Sequence, residues 1–520
     1  MNISPEDAAR DLELVFALAG PVGSDLEEVS RTLADALKQA AYAVEEISVS
    51  ALIRQIAKKQ KLPVVDQPED ARIASLMNAG NGIRRMWSNP AALATAAVAE
   101  IRGRRQRATG GKPSRRAYVI RSLKRPEEVN LLRRIYGPGF FLIGVNVNRP
   151  ARVESLAKHI ARSHGETAAS PHYAAHRAEA EALAKRDEDE ECDPYGQRLR
   201  DVFQLGDLFV SPNASVSLFE QIFRFVRLIL GDLGETPWAQ EQFMDQAFSA
   251  SLSSGALGRQ VGAVLVSPTL EVVGIGWNDT PKGGGGLYRA GEHYDRRDIH
   301  QDRDSVNIHA DQILVELVGA MRDAGWLREG VDPGLDEARA AFRGSRVMGL
   351  LEFGRTAHAE MEAILAAGRI GAGIRGTTLY TTTFPCHECA RLIVTAGVAR
   401  VVYIEPYPKS RAVELHRDAI LAFDDADAPH CDDPACTEPH TVCFEPFVGI
   451  GPHRYRELFS ITTGVGIRRD RKTKLSGERI RWDATTSLPR VEMLPLSYLD
   501  LEAKALYQLK KIMITEKDGG

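Results

Sequence analysis

The fold of the second half of the chain is decided by His358-Ala359-Glu360-Met361-Glu362-Ala363-Ile364-Leu365-Ala366-Ala367-Gly368 and, further on, Leu379-Tyr380-Thr381-Thr382-Thr383-Phe384-Pro385-Cys386-His387-Glu388-Cys389. Met361 to Ala367 has helical spacing and stops at Gly368. Leu379 to Thr383 reads as a strand, and Cys386 and Cys389 open a second helical pattern that runs to Ala396 and stops at Gly397. Residues three apart share a helix face, so both thiols reach one point in space. A helix N-terminus favours the thiolate, the form that binds metal. His358, Cys386 and Cys389 therefore offer one nitrogen and two sulfurs. Three protein ligands leave a fourth position open, as a catalytic Zn2+ requires and a structural one does not.

Glu360 lies two residues from the histidine, which sets a carboxylate beside the metal without ligating it. That is the place for a general acid/base that moves protons to and from a metal-activated water. A Cys-x-x-Cys alone is more often a structural half-site or a redox pair, and a His-Ala-Glu alone carries no signal. Both together, in this order and with strand and helix between them, point to hydrolytic deamination of a nucleobase.

At these residues the sequence resembles the deoxycytidylate deaminase family, within the zinc-dependent cytidine deaminases. The match extends to Ser253-Ser254-Gly255, Gln260-Val261-Gly262-Ala263 and Gly274-Ile275-Gly276-Trp277-Asn278, where tryptophan replaces the family's tyrosine, and to Val401-Val402-Tyr403. It spans about Thr236 to Lys409, with a continuation read at Phe447-Val448-Gly449-Ile450-Gly451-Pro452. The resemblance implies a cytidine-deaminase-like α/β/α sandwich, a free deoxycytidine nucleotide as substrate, and association into a homo-oligomer. It makes Asn278 the candidate sugar contact and Ala359 a further substrate-binding candidate. Arg259 stands where the family often has a small hydroxyl residue, and is a candidate phosphate contact. The stretch of about 283–353 is an insertion beyond a minimal member of the family.

The first half alternates strands and helices: Leu12 to Ala19, a helix from Leu26 to Ala40, then strands near Val44, Ala117 to Ile120 and Phe140 to Val145. Such alternation predicts an α/β class with a parallel sheet. Gly20-Pro21-Val22-Gly23-Ser24-Asp25 occupies the place of a phosphate-binding loop, making Gly20, Gly23 and Ser24 candidate nucleotide contacts. The lysine of the full motif is missing and Asp25 follows Ser24, so the loop reads as degenerate and regulatory. The expected domains are 1–233, P-loop-kinase-like, and 234–520, the deaminase, its first helix capped by Thr236-Pro237. This pairing resembles the bacterial anti-phage dCTP deaminases, which implies draining of dCTP, with dCMP as a further substrate, during infection. A housekeeping dCMP deaminase is the alternative, and a nucleic-acid cytosine or adenine deaminase a more distant one.

The net charge of −4 over 520 residues argues against a long nucleic-acid substrate. The basic stretch from Arg102 to Arg125 is a candidate surface for a regulatory nucleotide or RNA, or a solvated face; the acidic run Asp187 to Glu191 reads as solvated. His430, Cys431, Cys436, His440 and Cys443 are spaced such that a second, structural metal is an open alternative to ordinary loop residues. No signal peptide and no apolar segment of membrane-spanning length is evident, and a cytoplasmic location is the expectation.

Overall fold

The computed structural model describes residues 12–190, 193–301, 305–328, 331–343, 345–349, 354–407, 410–423, 441–462, 470–490 and 497–515. The chain forms two compact units, one of Met1–Glu241, Phe423–Cys436 and Pro446–Gly520, the other of Gln242–Ala422 and Thr437–Glu445.

The first unit is built on strands β1 (Leu14–Ala19), β2 (Ala43–Ser48), β3 (Arg116–Arg121), β4 (Phe140–Val145) and β5 (Leu208–Val210), all parallel, in the order β5-β4-β1-β3-β2. Its central strand is apolar at every position because both faces are covered. Val15, Ala17 and Ala19 enter one core cluster, and Leu14, Phe16 and Leu18 the other.

The second unit carries β6 (Gly262–Val266), β7 (Val272–Trp277), β8 (Thr378–Thr383), β9 (Arg400–Glu405), β10 (Ile420–Ala422) and β11 (Val442–Pro446), in the order β10-β11-β9-β8-β6-β7. The β6–β7 and β6–β8 pairs are antiparallel and the β8–β9 pair is parallel, so this sheet is mixed. Helices Ala359–Arg369 and His387–Ala396 pack into its core through Ala359, Ala363, Ala367, Ala390 and Ile393. Both units are thus of the α/β class.

Gly274 and Gly276 set the distance between helix and sheet. A Cβ on Gly274 would stand 2.1 Å from the Ala363 carbonyl oxygen, and one on Gly276 equally 2.1 Å from that of Ala359. Only a strand lacking side chains at these two positions lets the helix that begins at Ala359 lie so close.

Four expectations are corrected. Helix Ala239–Ser251 does not start at Pro237: the Thr236 carbonyl accepts from Arg224 Nη2 at 2.7 Å, and Glu241 accepts from Trp238 N at 2.7 Å. Phe447–Pro452, read as a continuation of the resemblance of the second half, lies in the first unit. Strand β12 (Gly449–Ile450) pairs antiparallel with β5 there, and the Ile450 amide donates to Glu241 at 2.8 Å. The acidic run is not solvated at Asp187, which is 1% exposed, and Glu188, Asp189 and Glu190 are paired with Arg152, Arg200 and Arg186. Nor is Arg102–Arg125 a continuous cationic face. Arg105 is buried against Glu13 and Glu502, Arg125 is buried on Gly196 and Glu127, and Arg104 and Arg116 share Glu45. These charges neutralise one another inside the unit.

Among the described residues, no helix is long and apolar enough to cross a membrane. His430, Cys431, Cys436 and His440 lie outside the described residues, and Cys443, in β11, is disulfide-bonded.

Candidate active site

His358 and Cys386 occupy the same position in two different helices. Each is the N-cap residue, in extended conformation (φ −76°, ψ 155° and φ −69°, ψ 169°), and neither side chain caps its own helix. Freed from capping, the two side chains turn toward each other across the positive ends of two helix dipoles. Cys389, one turn into the second helix, completes the cluster. His358 Nδ1 lies 3.2 Å from Cys389 Sγ and 3.3 Å from Cys386 Sγ. One donor atom from each of the three residues falls within 4.8 Å of the others. A tetrahedral zinc with ordinary bond lengths holds nitrogen and sulfur about 3.6 Å apart. The donors therefore fit zinc with adjustments of a few tenths of an ångström.

The protonation states show what a metal would have to displace. The Cys386 thiol is pulled down to about 4, first by the hydrogen bond from Cys389 and then by His358. His358 is pushed up to about 9, chiefly by its hydrogen bond with Cys386. Burial holds the Cys389 thiol well above its ordinary range.

Glu360 sits in the first turn of its helix, 4% exposed, and its Oε2 accepts from Cys389 Sγ at 3.4 Å. Burial raises its pKa.

The loop carrying Cys386 is anchored from three sides. The Phe384 amide donates to the Glu405 carbonyl at 2.7 Å, the Phe384 ring meets Tyr403 and Phe444 edge-on, and Ser410 Oγ donates to the Pro385 carbonyl at 2.7 Å.

The substrate-binding candidates are placed as follows. Ala359 is fully buried at the first helical position, under Gly276. Asn278 braces the loop ahead of β6: its Oδ1 accepts from Val261 N and its Nδ2 donates to the Arg259 carbonyl, both at 2.7 Å. Arg259 is 57% exposed at its side chain and is ion-paired to Glu405, which is 10% exposed. Sequence reasoning passed over Glu405. Its signal is an acidic residue closing the apolar run Arg400–Glu405, the end of a strand that lies parallel to the one leading into the cysteines.

Gly20, Gly23 and Ser24 form the turn between β1 and helix Leu26–Gln39 in the first unit. Gly23 takes φ +89°, and a Cβ there would stand 2.7 Å from the Arg152 carbonyl oxygen. Asp25 caps the helix, accepting from Glu27 N and Glu28 N at 3.1 and 2.9 Å.

Residues 238–405 match the family model of the cytidine and deoxycytidylate deaminase zinc-binding region. The chain is 46% identical over 54 residues to a deoxycytidylate deaminase of Enterobacteria phage T4, covering 10% of this chain and 28% of that protein. It is 26% identical over 164 residues to the human deoxycytidylate deaminase, covering 32% of this chain and 63% of that one. It thus spans less than two thirds of the relatives it matches. A crystal structure of dCMP deaminase from the cyanophage S-TIM5 aligns at 17% identity and a TM-score of 0.20, over 41% of this chain and 99% of that one. The segment 238–405, with its paired cysteines and histidine, is thus similar to the zinc-binding region of the cytidine and deoxycytidylate deaminases.

Proposed function

We propose that this protein hydrolyses the exocyclic amine of a free deoxycytidine nucleotide, giving the deoxyuridine nucleotide and ammonia. The observation that carries the reading is a buried carboxyl, Glu360, within 3.4 Å of one of three clustered donors, His358, Cys386 and Cys389. A site that only held a metal for structural purposes would have no use for it.

In this reading the three donors hold zinc, which when bound makes water a nucleophile near neutral pH. Glu360 takes a proton from the attacking water as its oxygen joins carbon 4 of the cytosine ring. It delivers that proton to ring nitrogen 3, then carries the second water proton to the amine as the carbon–nitrogen bond breaks. The products are a ring carbonyl and NH3. The Ala359 amide, at the start of the helix, supports a ring contact. Asn278 has one Nδ2 hydrogen left for a sugar hydroxyl. Arg259 meets a phosphate only by sharing its guanidinium with Glu405.

The substrate in this reading is dCTP, with dCMP as the second candidate, and the biological role is depletion of dCTP in antiviral defence. What supports dCTP is the architecture: a five-stranded parallel arrangement with a degenerate phosphate-loop turn after β1, joined to a deaminase region in one chain. What supports the alternative, a dCMP deaminase of pyrimidine metabolism, is that the matched relatives are themselves named deoxycytidylate deaminases.

Zinc-loaded protein is incubated with dCTP, dCMP, CTP, deoxycytidine and cytosine-containing single-stranded DNA, with Glu360→Ala as control. Conversion of dCTP to dUTP that the control lacks supports the reading. Conversion of dCMP alone moves the protein to ordinary nucleotide metabolism. Deamination of the DNA alone overturns the substrate class.

A further inference from the structure

A cavity of about 710 Å³ opens at the carboxyl ends of β1 and β3 in the first unit, floored by the turn Gly20–Asp25. The crevice outside the carboxyl ends of parallel strands is where α/β folds bind ligands, and this volume lies within the range of small-molecule sites.

A phosphate-binding loop works by converging backbone amides and a lysine on an anion. The same donors converge here, but the anion is the protein's own. Val22 N and Lys124 Nζ each donate to Asp187 Oδ2 at 2.8 Å, and Lys124 Nζ also donates to the Gly20 carbonyl at 2.9 Å. The following residue, Glu188, is paired with Arg152, whose Nη1 donates to the Val22 carbonyl at 3.3 Å. The first-turn amides of Glu27 and Glu28 are taken by Asp25. The two arginines on the cavity wall are also matched, Arg72 by Glu69 and Arg84 by the fully buried Glu128. An incoming phosphate would have to expel Asp187, which is 1% exposed, from its lysine. The lining also has an apolar part, with Val49, Ile53, Leu76 and Met77.

We infer that this cavity takes an uncharged, ring-bearing ligand of nucleoside size, and that Asp187, seated in the anion position of the loop, is the residue that excludes phosphorylated ligands. The apolar part of the lining suits a ring, and its serines and Gln197 suit hydroxyl groups. This assignment is independent of the deaminase reading, because every residue in it belongs to the first unit.

Full-length, zinc-loaded protein is titrated calorimetrically with adenosine, guanosine, uridine and thymidine, with ATP and GTP, and with inorganic pyrophosphate. Met77→Trp, which fills the cavity from the apolar part of its lining, separates binding here from binding at the deaminase site. At least one nucleoside is expected to bind about tenfold or more tighter than ATP and GTP, and to lose that affinity in Met77→Trp. Asp187→Asn is expected to gain pyrophosphate binding by about tenfold. If Asp187→Asn does not fold, the comparison of nucleoside with triphosphate in the unaltered protein still decides the matter. Triphosphate or pyrophosphate binding as tight as nucleoside binding overturns the assignment. So does failure of every nucleoside, or nucleoside binding untouched by Met77→Trp.

Discussion

Gly276 and Ala359 are in such close register that a Cβ on the glycine would lie 2.1 Å from the alanine's carbonyl oxygen. Ala359 stands between His358 and Glu360, so this one approach sets where a metal-binding candidate and the buried carboxyl sit above β7. Gly276→Ala must push the helix outward. It is expected to cost about 3 kcal/mol of stability and to lower zinc content and turnover together. Urea unfolding and metal analysis of the purified variant check this; retained stability with full activity would show that the helix start has room to give.

Glu360→Gln keeps the volume of the buried side chain while removing its proton chemistry. Zinc stoichiometry is expected to remain unchanged and ammonia release to fall about 10²- to 10⁴-fold. Metal analysis beside a steady-state assay tests it. Joint loss of metal and activity would make Glu360 a structural partner of Cys389.

Zinc uptake by the metal-free protein is expected to strengthen as pH rises. His358, raised to about 9, carries a proton at neutral pH, and Cys389, held well above its ordinary range by burial, carries another. Both must leave before nitrogen and sulfur can ligate. Cys386, lowered to about 4, is already a thiolate and adds nothing above that pH. Affinity should therefore climb about tenfold per pH unit for each proton released, the His358 contribution levelling off near pH 9. Competition against a chelator of known affinity across pH 6 to about 9 measures the slope, and a flat profile would refute the assigned states.

Arg105 joins Glu13 and Glu502 inside the first unit, at 2.7 Å to each. Arg105→Met leaves two buried carboxylates without their cation and is expected to cost about 3–5 kcal/mol. Chemical denaturation reads the loss. A near-neutral substitution would mean that Tyr136 and Tyr498, which also bond these carboxylates, suffice to hold them.

The sequence by itself determined where the candidate site residues fall. His358, Glu360, Cys386 and Cys389 are legible because the needed residue types fall at helix starts, and helix starts are written locally in turn residues and periodicity. The strands β1 to β4 are legible for the same reason. What only the tertiary structure decided is how distant polar groups are spent. Nothing near Asp187 in sequence says that it will neutralise Lys124 and take the Val22 amide, and nothing near Arg105 announces Glu502. Likewise, that Asn278 braces Arg259–Val261, or that Phe447–Pro452 supplies a strand to the first sheet, depends on partners far along the chain. A buried charge or amide must find a partner wherever the fold supplies one. Local sequence sets which groups need a partner; only the packed chain sets which partner they receive.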